Sequence, residues 1–450
     1  MVSPIVSLQA PKDVSIDEIE AELRSLWQNQ GTDEDSASVT RAATFSLIVY
    51  EPDGTQHLLA SLGFYTGPID GIAGPRTEAA IKAAQKNYGM EATGKSDEPL
   101  LTKLQSEFVQ AKEKDKLTSE NKTAAISYTP DSEGITADVI AASNPCRIIT
   151  LCPILGEDTG VTAQVSAYCP IDKQSNNTLV CCEYITLTGT TEALERIGGI
   201  IAELAIADLP KFIWWKATPT PDLPLFQRLV SSSDTVIFDS SSFIEPAESL
   251  QAVAQLLKQD TALADINWRR LAPWQELAAA AFDPPERRSA IFEVDRVTID
   301  YEQGNESQAL MFLGWLASRL QWTPTEYNLE GGDYDIRRVK FTDEKQRSIE
   351  AELAGIPTAD WGDIPGDLVS LKLTSTNDKA DCCTVLCSST TGCMRMEASG
   401  GAQACYIEQV TPLFDQKSEE LLGQQLQRWG REMLYEESMA ISAQILQLVS

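Results

Sequence analysis

Apolar residues in this chain follow first one spacing and then another, and the changes of spacing divide it into regions. Ile16, Ile19, Leu23 and Trp27 recur at helical spacing after Ser15, which predicts a capped helix over residues 14–28. After the polar loop G-T-D-E-D-S, the run T-F-S-L-I-V-Y (Thr44–Tyr50) has the β-branched and aromatic content of a buried strand. Residues 56–108 return to helical spacing, with two helices flanking a turn in which Gly67, Gly71 and Gly74 permit positive φ and Pro75 stands at a helix start. Residues 109–134 are polar with little periodicity and read as a tether.

From residue 135 short apolar runs alternate with helices. Strands are predicted at C-R-I-I-T-L-C, T-A-Q-V-S-A-Y-C, V-C-C-E-Y-I-T-L, K-F-I-W-W-K and T-V-I-F-D, and helices at Thr191–Ile206, Leu225–Ser231 and Pro246–Gln259. Beyond about residue 262 the expected helices are Trp268–Phe282, Gln308–Leu320 and a long Ser418–Leu448. Between them lie strands near Ile291–Ile299, Asp335–Phe341, Leu368–Thr374 and the cysteine-rich segment. The fold class is therefore α/β plus α+β. It comprises an α/β layered domain with a mainly parallel sheet, a small all-α insert, and a C-terminal antiparallel sheet covered by helices. The expected boundaries are 1–55 (N-terminal helix and first strand of the α/β domain), 56–108 (insert), 109–134 (linker), 135–261 (α/β domain) and 262–450 (α+β domain with a cysteine-rich hairpin).

Charge narrows the partners. With 66 acidic and 36 basic residues the net charge is -30, which repels phosphate backbones and anionic lipid surfaces, so neither nucleic acid nor membrane is expected. No basic n-region or long apolar core opens the chain and no run is long enough to span a bilayer, so the reading is a cytoplasmic protein with mostly reduced thiols. Phosphate-binding glycine loops and a G-x-S-x-G elbow are absent, and the single histidine, His57, reads as a surface or packing residue. No catalytic residue and no cofactor are assigned.

Cysteine is the abundant reactive residue. Five of ten fall between Cys382 and Cys405, in spacings that lack C-x-x-C and have no histidine nearby, which argues against zinc. Alternation puts Cys383, Val385 and Cys387 on one strand face, and the turn S-S-T-T-G leads to Cys393. If the strands pair around that turn, Cys387 and Cys393 oppose each other at about disulfide distance. They are the candidate redox disulfide, with Cys382, Cys383 and Cys405 as second choices; the alternative is that these thiols only pack. Cys146, Cys152, Cys169, Cys181 and Cys182 sit in apolar strand contexts and read as small packing groups. Trp214 and Trp215 take opposite faces of an interior strand, and the Pro-rich segment after Lys216 leaves the carboxyl end where α/β sheets form clefts.

Two resemblances follow from these residues. The L-G-x-Y-x-G-x-I-D-G-x-x-G-x-x-T pattern of residues 56–108 resembles small peptidoglycan-binding-type domains. The combination of N-P-C-R-I-I (Asn144–Ile149), C-C-E-Y-I-T-L and A-D-L-P-K-F-I-W-W-K (Ala207–Lys216) resembles the glucose-6-phosphate dehydrogenase assembly family of the OpcA type, cyanobacterial branch. Its motif falls on Pro145, Cys146, Arg147, Asp208, Leu209, Pro210, Trp214 and Trp215, with Asn144 where many relatives carry histidine. The resemblance implies a non-enzymatic activator that binds glucose-6-phosphate dehydrogenase, favours its active oligomer and opens the oxidative pentose phosphate pathway. It also implies control by thioredoxin, with the oxidised form activating. The competing readings are an α/β enzyme acting on a sugar phosphate and a glycan-binding protein.

Overall fold

Strand-forming runs that the pattern isolates assemble into two sheets, seen in a computed structural model that describes residues 5–29, 38–41, 43–113, 146–170, 178–357, 364–377, 380, 382–388, 393–399, 407–412, 417–428 and 430–448. The chain opens with β1 (Ile5–Val14), α1 (Ile19–Asn29), β2 (Ser38–Arg41) and β3 (Ser46–Tyr50). The helical insert follows as α2 (Thr55–Ser61), α3 (Pro75–Asn87) and α4 (Glu98–Glu113). Then come β4 (Arg147–Pro153), β5 (Thr162–Pro170), β6 (Thr178–Gly189), α5 (Thr191–Arg196), α6 (Gly198–Leu204) and β7 (Lys211–Trp215). The first sheet is completed by α7 (Pro224–Ser231), β8 (Thr235–Phe238), α8 (Pro246–Lys258) and β9 (Leu263–Asp265).

Its strand order is β1-β5-β6-β4-β3-β7-β8-β9, with β2 alongside β6. All pairs from β6 to β9 are parallel, and β5 and β1 add an antiparallel edge. β3 lies between β4 and β7, so the strand before the insert belongs to this sheet, as its apolar run suggested. Taken along the chain, the parallel strands β3, β4, β6, β7, β8 and β9 occupy the order 3-2-1-4-5-6, whose reversal between β3 and β7 is a topological switch point.

After α9 (Ile266–Arg270) and α10 (Ala272–Ala280), the second sheet takes β10 (Arg296–Glu302), α11 (Ser307–Leu320), β11 (Thr323–Gly331), β12 (Ile336–Thr342), β13 (Ser348–Ile356) and β14 (Leu368–Thr374). It ends in β15 (Cys382–Ser388), β16 (Cys393–Ser399) and β17 (Ile407–Pro412), followed by α12 (Ser418–Gln425) and α13 (Met433–Gln447). The order is β11-β12-β13-β10-β14-β15-β16-β17, antiparallel except for β10 with β13. Its apolar face, including Val297, Ile299, Phe341, Leu353, Leu371 and Cys383, shares a core with α11 and α13. Gly314 lets the two helices approach closely: a Cβ there would lie 2.5 Å from the Ser438 carbonyl and 2.5 Å from Ser442 Oγ. Both serines hydrogen-bond across, Ser438 to the Met311 carbonyl (2.6 Å) and Ser442 to that of Leu310 (3.0 Å).

Several expectations change. The long terminal helix is two, ending at Gln425 and resuming at Met433, with Gly430 at φ +85° in the connection. The helix expected over Thr191–Ile206 is broken at Ile197, and that over Trp268–Phe282 at Leu271. Strands β1, β2, β9, β11, β13 and β17 had no counterpart among the expected elements; β1 and β11 lie at sheet edges, and β9 is only three residues long. Both β9 and α12 lie beyond residue 261, yet β9 joins the first sheet, and Leu421 and Leu422 of α12, with Leu426 just after it, pack on that sheet.

Candidate functional site

Arg147 of the first motif lies at the amino end of the parallel strands. Arg147 opens β4 and faces Glu183 of β6 in register. Its Nε donates to Glu183 Oε2 (2.7 Å), and its Nη1 to Glu20 Oε1 of α1 (2.5 Å) and to the Leu204 carbonyl ending α6 (2.7 Å). Trp27 of α1 donates its indole N–H to the other Glu183 oxygen (2.5 Å). Burial works against the Arg147 charge, and the two glutamates overcome it, so the guanidinium stays protonated. The arrangement latches α1 and α6 onto the sheet. Glu183 was visible in C-C-E-Y as a charge inside a buried run, which signals a buried partner, whereas Glu20 and Trp27 carry no such signal.

In the second motif segment, Asp208 is exposed, and the Pro210 carbonyl accepts from Ser46 N (2.8 Å), tying the entry of β7 to β3. Trp214 and Trp215 do take opposite faces, in two different clusters. Trp215 stacks on Tyr50 with ring centroids 3.6 Å apart and meets Phe226 edge-on at 4.8 Å. Both are core residues. Pro145 and Cys405 lie outside the described residues.

At the carboxyl end, the switch point is filled by the insert. Gln56, fully buried, holds the turn: its Oε1 accepts from Asp70 N (3.0 Å) and Gly71 N (2.8 Å), and its Nε2 donates to Asp70 Oδ1 (2.9 Å) and Thr77 Oγ1 (3.1 Å). Three successive carbonyls of this turn then accept from the sheet. Thr218 N reaches Ile69 (2.7 Å), Tyr50 OH reaches Asp70 (2.9 Å), and Thr191 Oγ1 reaches Gly71 (2.8 Å). Gly71 sits at φ +76° with the Tyr50 hydroxyl 2.9 Å from where a Cβ would be. Asp53 fastens the other side by accepting from Thr55 N (3.0 Å) and Leu155 N (3.1 Å), although burial raises its carboxyl above the usual range. Glu51 and Lys216, at the same edge, pair with each other. The cleft expected after Trp215 is thus occupied by the chain's own turn, a contact that no local pattern at Thr191 or Thr218 announces.

The cysteine hairpin forms, with a different register from the one expected. Cys387 lies across from Met394, and Cys393 across from Ser388, one step away from direct opposition. Cys383 is buried in the core face beside Val385, and burial with neighbouring Cys382 pushes its thiol up to about 12, which leaves it little thiolate character. Cys382 is half-buried. The packing role expected for Cys169 and Cys181 is corrected outright: they form a disulfide between β5 and β6. Cross-strand pairing, which spacing cannot reveal, brought them together.

Comparisons with known proteins agree with this architecture. Residues 137–255 match the family described as glucose-6-phosphate dehydrogenase subunit N-terminal domain, residues 261–439 the corresponding C-terminal domain, and residues 55–104 "Putative peptidoglycan binding domain". A protein of Synechocystis sp. named "Putative OxPP cycle protein OpcA" is 60% identical over 446 residues, 99% of this chain and 94% of the relative. One of the same name from Nostoc punctiforme is 57% identical over 452 residues, 100% of this chain and 96% of the relative. Among solved structures, a 3-ketoreductase from Actinomadura kijaniata aligns with TM-score 0.36 and 13% identity over 54% of this chain and 77% of that one. An oxidoreductase from Sinorhizobium meliloti aligns with TM-score 0.37 and 9% identity over 57% and 81%. Likeness at that level carries no functional inference.

Proposed function

We propose, since this chain belongs to the OpcA family of glucose-6-phosphate dehydrogenase subunits, that it is a non-catalytic partner that binds the dehydrogenase, promotes its active oligomer and so raises flux into the oxidative pentose phosphate pathway. The observation that carries this reading is family identity along nearly the whole chain. The motif residues support it, being spent on a latch and a core. So does the switch point, where the insert's turn stands in the place a small substrate would take. The same engagement weighs against glycan binding by the insert, whose turn carbonyls are already used; failure of insoluble peptidoglycan to retain the protein is the expected result.

The partner's response is redox-sensitive in this reading, through Cys387 and Cys393. In the present ladder these positions are one step out of register, so closing a bond between them displaces the hairpin end by one residue, which exchanges the faces of the residues that move. A ligand surface that includes this end then binds the two forms differently, and a coupling of about 1–3 kcal/mol corresponds to roughly 5- to 150-fold in affinity. Thioredoxin is the expected reductant. Titrating glucose-6-phosphate dehydrogenase with the oxidised and the thioredoxin-reduced protein, following NADPH formation at subsaturating glucose 6-phosphate, tests both parts. Activation that weakens on reduction supports partner and switch; equal activation rejects the switch; no effect of either form rejects the partnership. Saturable turnover of glucose 6-phosphate by this protein alone would favour the enzyme reading instead.

A further inference from the structure

β6 carries adjacent cysteines, and the pleat sends them to opposite faces. On the face that carries Glu183 and Ile185, Cys181 is bonded to Cys169 of β5. On the other face, the parallel register of Arg147 with Glu183 sets Cys146, the residue before β4, beside Cys182. Both belong to one apolar cluster with Ile148, Tyr184 and Trp214, and both are thiols. The Cys146 thiol hydrogen-bonds to the Cys182 sulfur; this bond, and then burial, raise Cys146, while the same bond lowers Cys182 against its burial, so the proton is held on Cys146. Neighbouring strands lie about 4.8 Å apart, inside the Cα separation of about 4.4–6.8 Å that a disulfide spans. Four cysteines on three adjoining strands therefore make two side-by-side pairs, one closed and one open.

We propose that Cys146 and Cys182 are a second oxidisable pair, converted by a small hydroperoxide into a disulfide that ties β4 to β6. The Cys182 thiolate attacks one peroxide oxygen, the O–O bond breaks, and hydroxide leaves, giving a sulfenic acid. The Cys146 sulfur then attacks that sulfur, the S–O bond breaks, and the oxygen departs as water with the Cys146 proton. The two sulfurs together lose two electrons and the peroxide gains them. Cys146 is 1% exposed and Cys182 is 0%, so the oxidant must be small, and a protein-sized thiol reagent such as thioredoxin is excluded. This pair is independent of the hairpin at Cys387 and Cys393 and of the identity of the partner protein.

The test is a peptide map of the full chain, alkylated and digested with trypsin without reduction, before and after a slight molar excess of hydrogen peroxide. Cleavage after Lys122, Arg147, Lys173 and Arg196 places Cys146 in peptide 123–147, Cys169 in 148–173 and Cys182 in 174–196. Before treatment, 148–173 is expected linked to 174–196 through the existing disulfide. After it, 123–147 joins them in a three-peptide species and two alkylated thiols per chain are lost. The same shift is expected in a Cys387→Ser, Cys393→Ser double variant, whereas oxidised thioredoxin should not produce it. In Cys146→Ala, with its melting temperature checked, Cys182 is expected to stop at sulfenic or sulfinic acid. Peptide 123–147 remaining separate and alkylated at Cys146 after peroxide overturns the proposal, as does a cross-link that appears only when the chain is unfolded first.

Discussion

Both sheets bury apolar faces, but their ends are held differently. The first is tied by buried polar contacts at both ends: Arg147 with Glu183 and Glu20 at the amino end, the insert's turn at the carboxyl end. The second is held by its apolar face on α11 and α13, while its other face carries exposed pairs such as Arg338 with Glu352 (2.7 Å) and Lys340 with Glu326 (2.7 Å), each worth little. A sheet end fastened by specific polar partners has one arrangement. The hairpin of β15 and β16 belongs to the second sheet's apolar face, where Cys383, Val385, Met394 and Met396 are buried, so a change of register there exchanges buried for exposed residues.

Arg147→Ala should have the largest effect, because it leaves the 3% exposed Glu183 carboxylate without its cation; a loss of about 3–5 kcal/mol is expected in urea unfolding. Glu20→Gln, at the half-exposed partner, should cost below about 1 kcal/mol, and equal losses for the two would mean that the amino end is not held by the buried pair. Gly314→Ala attacks the second sheet by overpacking its helix pair, at about 1–3 kcal/mol; a neutral result would show that α11 and α13 are not closely fitted. Thr191→Val removes one dock of the insert and leaves the Gly71 carbonyl unpaired, about 1 kcal/mol, with faster amide exchange expected in residues 66–72.

Where the sheets meet, pH provides a finer probe. Burial, and then neighbouring Asp239, pushes Asp265 up to about 7, while Asp239, paired with Arg270, sits at about 2 despite its burial. The folded state keeps on Asp265 a proton that the unfolded chain releases near pH 4, so its contribution to stability falls as pH rises from about 4 through about 7. Asp265→Asn should flatten that slope, measured as urea midpoints at several pH values; an unchanged slope would place the titration elsewhere. The smallest effect is expected for the Cys387→Ser, Cys393→Ser double variant, within about 0.5 kcal/mol under reducing conditions. A large loss there would mean that the hairpin end is part of the core and not a place free to change register.

Much of the fold is legible in the amino-acid sequence alone. Alternation and helical spacing are local properties, so β3, β4, β6, β7, β8 and α11 emerge close to their observed bounds, whereas the insert holds three helices where two were expected. The two-faced placement of Trp214 and Trp215 follows from the pleat alone. Family motifs are equally local, and they marked Arg147 and Cys146 without saying what either does. What no local pattern contains is the partner. Glu20 meets Arg147 across 127 positions, Thr191 meets Gly71 across 120, and Cys169 closes on Cys181 because β5 and β6 happen to align there. The same limit set the hairpin one step away from the expected register, since pairing is chosen by every residue along β14 to β17 at once. Side-chain periodicity thus identifies the strands and which face each residue takes. Pairing, register and docking are settled only when distant segments compete to satisfy the same buried groups.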